Sequence, residues 1–332
     1  MATVTSHYAR EALPGAARKG LDVDQLLVDA GISQELIDAA DSRVHTEQLT
    51  RLIQSIWVLL DDEFMGYTSH RAKLGTFGMM CQLVSRCETI DALFNRGIKY
   101  YSFVTEDIVM DYREVETGRE FIVTMAEPAL DPVHFYQEFW IVIWHRFASW
   151  IIGQQIKLQA AYFAYPEPAH SAEFKFQFAC PCFFNADKTK ICFSNQYASL
   201  APVRTQRELA QFLKRQPAGV LTIPGDDSSL TLRIKVALIN DAETLNSFPE
   251  FDDLAATLHI SSPTLRRKLK DEGTSYQKIK DSVRCDIAIE KISVQQMAVN
   301  DVAQLLGFAE PRSFTRAFKQ WTGVTPSVYR RK

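Results

Sequence analysis

The chain has 332 residues, enough for two domains at roughly 100–200 residues each. Its 46% hydrophobic and 23% charged residues are ordinary globular usage, which excludes a disordered, collagen-like or extended coiled-coil protein. The net charge of −3 hides an asymmetry: residues 249–332 carry 14 Lys and Arg against 10 Asp and Glu, leaving 23 against 30 before them, so a basic part able to meet a polyanion follows an acidic body.

In chain order, the first ~65 residues read as helices on the hydrophobic period. Asp22 to Ala30 ends at Gly31, Ser33 can cap a stretch through Ala40, and Thr46 to Leu60 places Leu49, Leu52, Ile53, Ile56, Leu59 and Leu60 at helical spacing. Phe77 to Cys87 is expected to be helical, and Thr89 can cap Ile90 to Phe103. The period then changes: 108–112 and 121–125 flank Glu116-Thr117-Gly118 and predict a hairpin. His134 to Gln155 is apolar on nearly all sides and predicts a buried helix. Its core, Phe139 to Ile152, is broken by His145 and Arg146 and falls short of the ~18 residues a membrane helix needs, so no membrane partner is expected. Lys157 to Tyr165 reads as a strand, His170 to Phe178 as a short helix, and Cys182 to Ser194 as two strand pieces around Asn185-Ala186-Asp187. The expected fold is therefore an α+β amino-terminal domain, helices on a mixed sheet. Arg204 to Arg215 is amphipathic. Residues 216–229, rich in Gly, Pro, Asp and Ser, are the linker candidate. An all-α domain is expected over 230–332.

That last domain contains a repeat. At an offset of 48, Asp253, Ala255 and Leu258 match Asp301, Ala303 and Leu306; past a short turn, at an offset of 49, Leu265, Arg267, Leu269 and Lys270 match Phe314, Arg316, Phe318 and Lys319. Each second helix has a proline in its first turn (Pro263, Pro311), where a missing N–H is harmless. Each copy ends at a glycine, Gly273 or Gly323, followed by Ser275 or Thr325 as a candidate cap. Two helices joined by a short turn, used twice, describe two helix-turn-helix units over about 251–272 and 299–321, with Ser275 to Ile292 as the helix between them. In each second helix an apolar pair faces the core and turns polar residues outward. These are Thr264, Arg266, Arg267 and Lys270 in the first copy, and Arg312, Ser313, Thr315, Arg316 and Lys319 in the second, with Ser262 and Pro263 at the start of the first helix added as DNA-binding candidates. Arginine can grip guanine O6 and N7 with two bonds, while Ser, Thr and Lys suit phosphates. A helical bundle with a solvated basic face is the plain alternative for one copy; matched basic positions in two copies favour double-stranded DNA.

The second copy and its tail read Ala303-Gln304-Leu305-Leu306-Gly307-Phe308, Ser313-Phe314-Thr315-Arg316-Ala317-Phe318-Lys319 and Gly323-Val324-Thr325-Pro326-Ser327-Val328-Tyr329-Arg330. This closely resembles the signature of the AraC/XylS family of bacterial transcription regulators. Upstream, Pro168-Ala169-His170, Phe174, Phe178, Pro181, Phe184 and 191–194, with Leu74-Gly75-Thr76-Phe77-Gly78, resemble the arabinose-binding-like effector domain of one subgroup. The resemblance implies a ligand-responsive regulator, usually an activator, often dimeric, that contacts RNA polymerase at promoters. By position it carries base-contact roles to Pro263, Arg266, Arg267, Arg312, Ser313 and Arg316. His259 departs from it, standing where many members have a turn glycine.

The remaining constellations carry less. Cys180, Cys182, Cys192 and His170 lack the usual zinc spacing, so no metal is expected, and no cofactor or catalytic motif is recognised. The six cysteines, with no apolar signal segment ahead of them, read as reduced thiols of a cytoplasmic protein. Trp140, Trp144, His145 and Arg146 are candidate effector contacts in an apolar pocket; a polar stripe reaching the surface is the alternative for His145 and Arg146. The expectation is thus a sensing and dimerising domain over 1–215 for a small organic effector, apolar or amphipathic, and a DNA-binding domain over 230–332. The rival readings are a small-molecule-converting enzyme with an accessory DNA-binding tail and a protein-binding adaptor.

Overall fold

A computed structural model describes residues 3–39, 42–214, 230, 234, 237–238, 248–258, 260–271 and 274–330. The expected linker, 216–229, and His259 lie outside the described residues. The chain forms two compact units, one of residues 7–26 and 49–225, the other of residues 1–6, 27–48 and 226–332.

Helices α1 (Ser6–Glu11), α2 (Leu13–Arg18) and α3 (Val23–Ala30) open the chain. The first unit then contains most of α5 (Thr46–Leu60), followed by α6 (Thr76–Val84) and α7 (Ile90–Val104). Thr89 starts α7 by accepting a hydrogen bond from the backbone N–H of Ala92 at 3.1 Å. Strands β3 (Ile108–Val115) and β4 (Gly118–Met125) form the expected hairpin. With β5 (Leu158–Tyr162), β6 (Cys182–Phe183) and β7 (Lys190–Phe193) they make a five-stranded sheet of order β3-β4-β7-β5-β6. Only the β5–β6 pair is parallel, so the sheet is mixed, as expected.

The buried helix is α8 (Phe135–Ile151). It starts after His134, a residue with φ of 60°. Asp131 supplies its cap, accepting from the N–H groups of Tyr136 and Gln137 at 3.2 and 3.0 Å. Trp144 of α8 is fully buried against Phe94, Tyr101 and Phe121. Gly97 of α7 makes this possible, because a Cβ there would stand 2.7 Å from Trp144 Cη2. Burial of each such ring contributes on the order of 1.5–3 kcal/mol. Beyond a short helix, α9 (Phe174–Gln177), α10 (Gln206–Lys214) closes the unit, with Phe212 stacked 4.1 Å from the Trp150 ring.

In the second unit β1 (Thr3–Thr5) pairs antiparallel with β2 (Arg43–His45). Helix α4 (Gln34–Asp38) starts at Ser33, whose hydroxyl accepts from the Leu36 N–H. The carboxyl-terminal helices are α11 (Phe251–Thr257), α12 (Ser262–Asp271), α13 (Tyr276–Ile289), α14 (Val299–Leu305), α15 (Pro311–Thr322) and α16 (Pro326–Arg330). Helix α13 is capped by Ser275, buries Ile279, Val283 and Ile287, and runs into a π-helical turn over Glu290–Val294 that buries Ile292. Tyr329 of α16 ties in the amino-terminal segment: its hydroxyl accepts from Arg43 N–H at 3.3 Å and donates to the Arg43 carbonyl. Residues 27–48, which the sequence groups with the amino-terminal domain, thus pack with the carboxyl-terminal helices.

Candidate nucleic-acid interface and candidate effector cavity

The two helix pairs close their turns alike. Ile260 N–H donates to the Ala255 carbonyl at 3.0 Å, and 48 residues later Phe308 N–H donates to the Ala303 carbonyl at 2.9 Å. Gly307 takes φ of 76° in the second turn, a conformation open to glycine at little cost. Leu254, Ala255, Leu265 and Leu269 are buried in the first pair, and Val302, Ala303, Phe314 and Phe318 in the second.

At 100° per residue, Leu265 and Leu269 facing inward put Pro263, Arg267 and Lys270 on the opposite side of α12. Phe314 and Phe318 do the same for Arg312, Arg316 and Lys319 on α15. All six outward residues are exposed. None of the five basic ones forms a salt bridge with another described residue. Ser313 is also exposed. The other expected residues are held within the fold. The Ser262 hydroxyl donates to Asp252 Oδ1 at 2.5 Å, Thr264 Oγ1 accepts from Ser261 at 2.8 Å, and Thr315 donates to the Pro311 carbonyl at 3.0 Å. Arg266, though exposed, lies over the Phe251 ring at 5.3 Å, a cation–π contact. The arrangement therefore offers two matched basic stripes, Arg267 with Lys270 and Arg312 with Arg316 and Lys319, flanked by residues that hold the helices in place.

Of the four candidate effector contacts, Trp140 alone lines the cavity of about 380 Å3 in the first unit. Trp144 is packed in the core. His145 is buried with Nε2 2.7 Å from the Ile156 carbonyl, and burial pushes its pKa down to about 4. Burial pushes Arg146 down to about 10. The cavity lies among α5, α6, α8 and α10, and Glu63 is its one carboxylate among the described residues. Glu63 Oε1 accepts from Gly75 N–H and Oε2 from Phe77 N–H, both at 2.7 Å, which caps α6. Burial nevertheless pushes this carboxyl up to about 7. Glu63 and Trp57 were not legible as site residues: Asp61-Asp62-Glu63 looks like an ordinary acidic helix end, and only the mixture of Trp57, Val58 and Leu59 on one turn hints at an unfilled apolar face.

A second polar cluster was equally silent. Glu138, fully buried on α8, accepts from Tyr165 at 2.7 Å and pairs with His170 Nε2 at 3.0 Å, and His170 stacks on His7 at 3.8 Å. Among the described residues no group of three or more His, Cys, Asp or Glu is placed to hold a metal ion, and no helix is long and apolar enough to cross a membrane.

Comparison with known proteins matches two families along the chain. Residues 20–201 match the family described as the arabinose-binding domain of AraC transcription regulator, N-terminal, and residues 254–332 match a helix-turn-helix domain family. The ornithine utilization regulator of Pseudomonas aeruginosa is 24% identical over 97% of this chain and 95% of its own. The HTH-type transcriptional regulator VqsM of the same organism is 28% identical over 33% of this chain and 36% of its own. The crystal structure of the transcriptional regulator CdpR from Pseudomonas aeruginosa, 18% identical, aligns over 92% of this chain and 96% of that one with a TM-score of 0.35.

Proposed function

The chain belongs to the AraC family of transcription regulators and is a DNA-binding regulator, and from that premise we propose that it activates transcription from promoters it reads through α12 and α15, under control of a small organic effector held by its amino-terminal domain. The observation that carries this reading is the pair of matched basic stripes on repeated helices. In this reading Arg267, Arg312 and Arg316 meet base edges, while Lys270, Lys319 and Ser313 meet phosphates. Pro263 packs against the groove wall. Ser262 and Arg266 hold α12 against α11 through Asp252 and the Phe251 ring, while the Thr264 and Thr315 hydroxyls bond locally to Ser261 and Pro311 at the start of each helix. Residues 1–215 sense the effector and dimerise, and residues 230–332 bind DNA and contact RNA polymerase in the cytoplasm. The effector shifts the population of DNA-competent arrangements, which requires that it bind them with different affinity. The effector is apolar or amphipathic, in keeping with the rings Trp57, Phe77, Phe139 and Trp140 around the cavity.

The test is selection of duplexes from a random pool by the full chain, followed by titration of the enriched sequence against random competitor. Enrichment of one sequence, bound ~10³-fold or more above competitor, supports the reading. Equal affinity for every duplex refutes it.

A further inference from the structure

The cavity beside Trp140 has a composition that selects among ligands. Its walls are aromatic and aliphatic, chiefly Trp57 of α5, Phe77 of α6, Tyr136, Phe139 and Trp140 of α8, and Leu213 of α10. Its volume of about 380 Å3 falls in the range of small-molecule sites, roughly 300–1,000 Å3. Among the described residues no Lys, Arg or His lines it, and Glu63 is its one ionisable carboxylate. That carboxylate spends one lone pair of each oxygen on a backbone N–H of the α6 terminus, and a carboxylate can accept up to about four hydrogen bonds. Two acceptor positions thus remain for a donor entering the cavity. At the rim Val58 and Leu74 are 63% and 49% exposed, apolar side chains left in water beside an apolar hollow.

An anionic head placed here would face the ionised Glu63 with no cation among the described lining residues to offset it. A neutral apolar molecule would leave the remaining acceptor positions unmet. A protonated amine satisfies both conditions: it donates charge-assisted bonds to Glu63 and gains from the electron-rich faces of the surrounding rings. The amino acid suggested by the name of the ornithine utilization regulator fits less well, because its own carboxylate and second ammonium would find neither a cation nor a second anion among the described lining residues.

We propose that this cavity binds an amphipathic monoamine, with its ammonium on Glu63 and its apolar body among the rings of α5, α6 and α8. The inference rests on the reading of the chain as an effector-controlled regulator and identifies the class of effector. Leu213 links the occupant to that control. It sits on α10, the last described helix before the segment that leads to residues 226–332, and it faces Gly78 of α6, whose added Cβ would lie 3.7 Å from Leu213 Cδ1. A body that fills the space between α6 and α10 presses on this contact.

The test titrates the full chain with n-octylamine, 1-octanol, octanoate and L-ornithine at about pH 8, where the amines are protonated and Glu63, raised to about 7, is ionised, read by tryptophan fluorescence and by calorimetry. Octylamine is expected to bind at least roughly tenfold more tightly than octanol, the factor of one hydrogen bond to a charged group, with octanoate and ornithine weaker still. In Glu63→Gln the preference for amine over alcohol should disappear while octanol binding persists. Because Glu63 also caps α6, a second variant guards against misfolding: Gly78→Leu, which fills the cavity from the α6 side, should lose octylamine and octanol together. Equal binding of octanoate or octanol and octylamine, no binding of any probe, or octylamine binding retained in Gly78→Leu overturns the proposal. Duplex affinity measured with and without octylamine separates the two claims. A Glu63-dependent amine complex that leaves duplex affinity unchanged supports the site and contradicts effector control.

Discussion

Arg316 leaves α15 opposite Phe314 and Phe318, exposed and without a salt-bridge partner among the described residues. Arg266 shares the chemistry but lies on the Phe251 ring. This difference sets their expected effects. Arg316→Ala should cost ~1–3 kcal/mol of duplex binding and relax base choice at one position, the signature of a bidentate contact; binding constants across a set of single-base variants of the selected duplex check it. A uniform loss across all duplexes would make Arg316 a phosphate contact instead. Glu63 gives a pH dependence whose sign is fixed by its environment. Burial, aided by Asp62, raises its carboxyl from 4.5 to about 7 despite the Phe77 and Gly75 N–H groups. A raised folded-state pKa means that the protonated form is the one the fold favours, so its stabilisation is full below about 4.5 and is lost as pH rises through about 7. The melting temperature of the native chain relative to Glu63→Gln should therefore fall between about pH 5 and 8; a constant difference would contradict the assignment. The outward, exposed position of Arg316 was legible because a repeat and a helical period both point to it. Glu63 was not, because its environment is made by α5, α6, α8 and α10, which are up to about 150 residues away in sequence.

At the scale of elements, the starts of helices were written locally. Ser33, Thr89 and Ser275 cap where expected, and Pro311 opens α15, because each device acts within four residues of itself. The hairpin of β3 and β4 was equally local. What escaped is built from distant pieces. Strands β1 and β2 are three residues each and lie about forty residues apart, too short to show a period of two. Helices α1 and α2, before the first periodic segment, were likewise not singled out individually. The close approach of α7 and α8 is also long-range, and it yields a prediction. Gly97→Ala would gain about 1 kcal/mol of helix propensity but set a Cβ 2.7 Å from Trp144 Cη2 inside a packed aromatic core. Overpacking of this kind costs ~1–3 kcal/mol, so the variant should melt at a lower temperature. A gain in stability would show that Trp144 has room to move.

For the whole molecule, charge is divided along the sequence rather than between the two compact units. The acidic body precedes residues 249–332 with their basic excess, and the exposed basic side chains of α12 and α15 concentrate it on two faces. Binding to DNA should therefore weaken steeply with salt, and Lys319→Ala should reduce the slope of log affinity against log salt by about one, as expected when a single phosphate is no longer neutralised. An unchanged slope would place Lys319 away from the backbone. Composition and the repeat made this division visible. They did not reveal that residues 27–48 pack with 226–332, since the bond between Tyr329 and Arg43 spans 286 positions and leaves no periodic trace in either segment.

That α12 and α15 read DNA as a pair is tested most directly by footprinting the full chain on its selected duplex, in the native form and as Arg267→Ala and Arg316→Ala. The native protein should protect two major-groove segments on one side of the duplex, about one helical turn (~34 Å) apart, and each variant should lose protection at one segment while keeping the other. Protection that survives both substitutions, or that both abolish uniformly, would contradict the assignment of one groove segment to each helix.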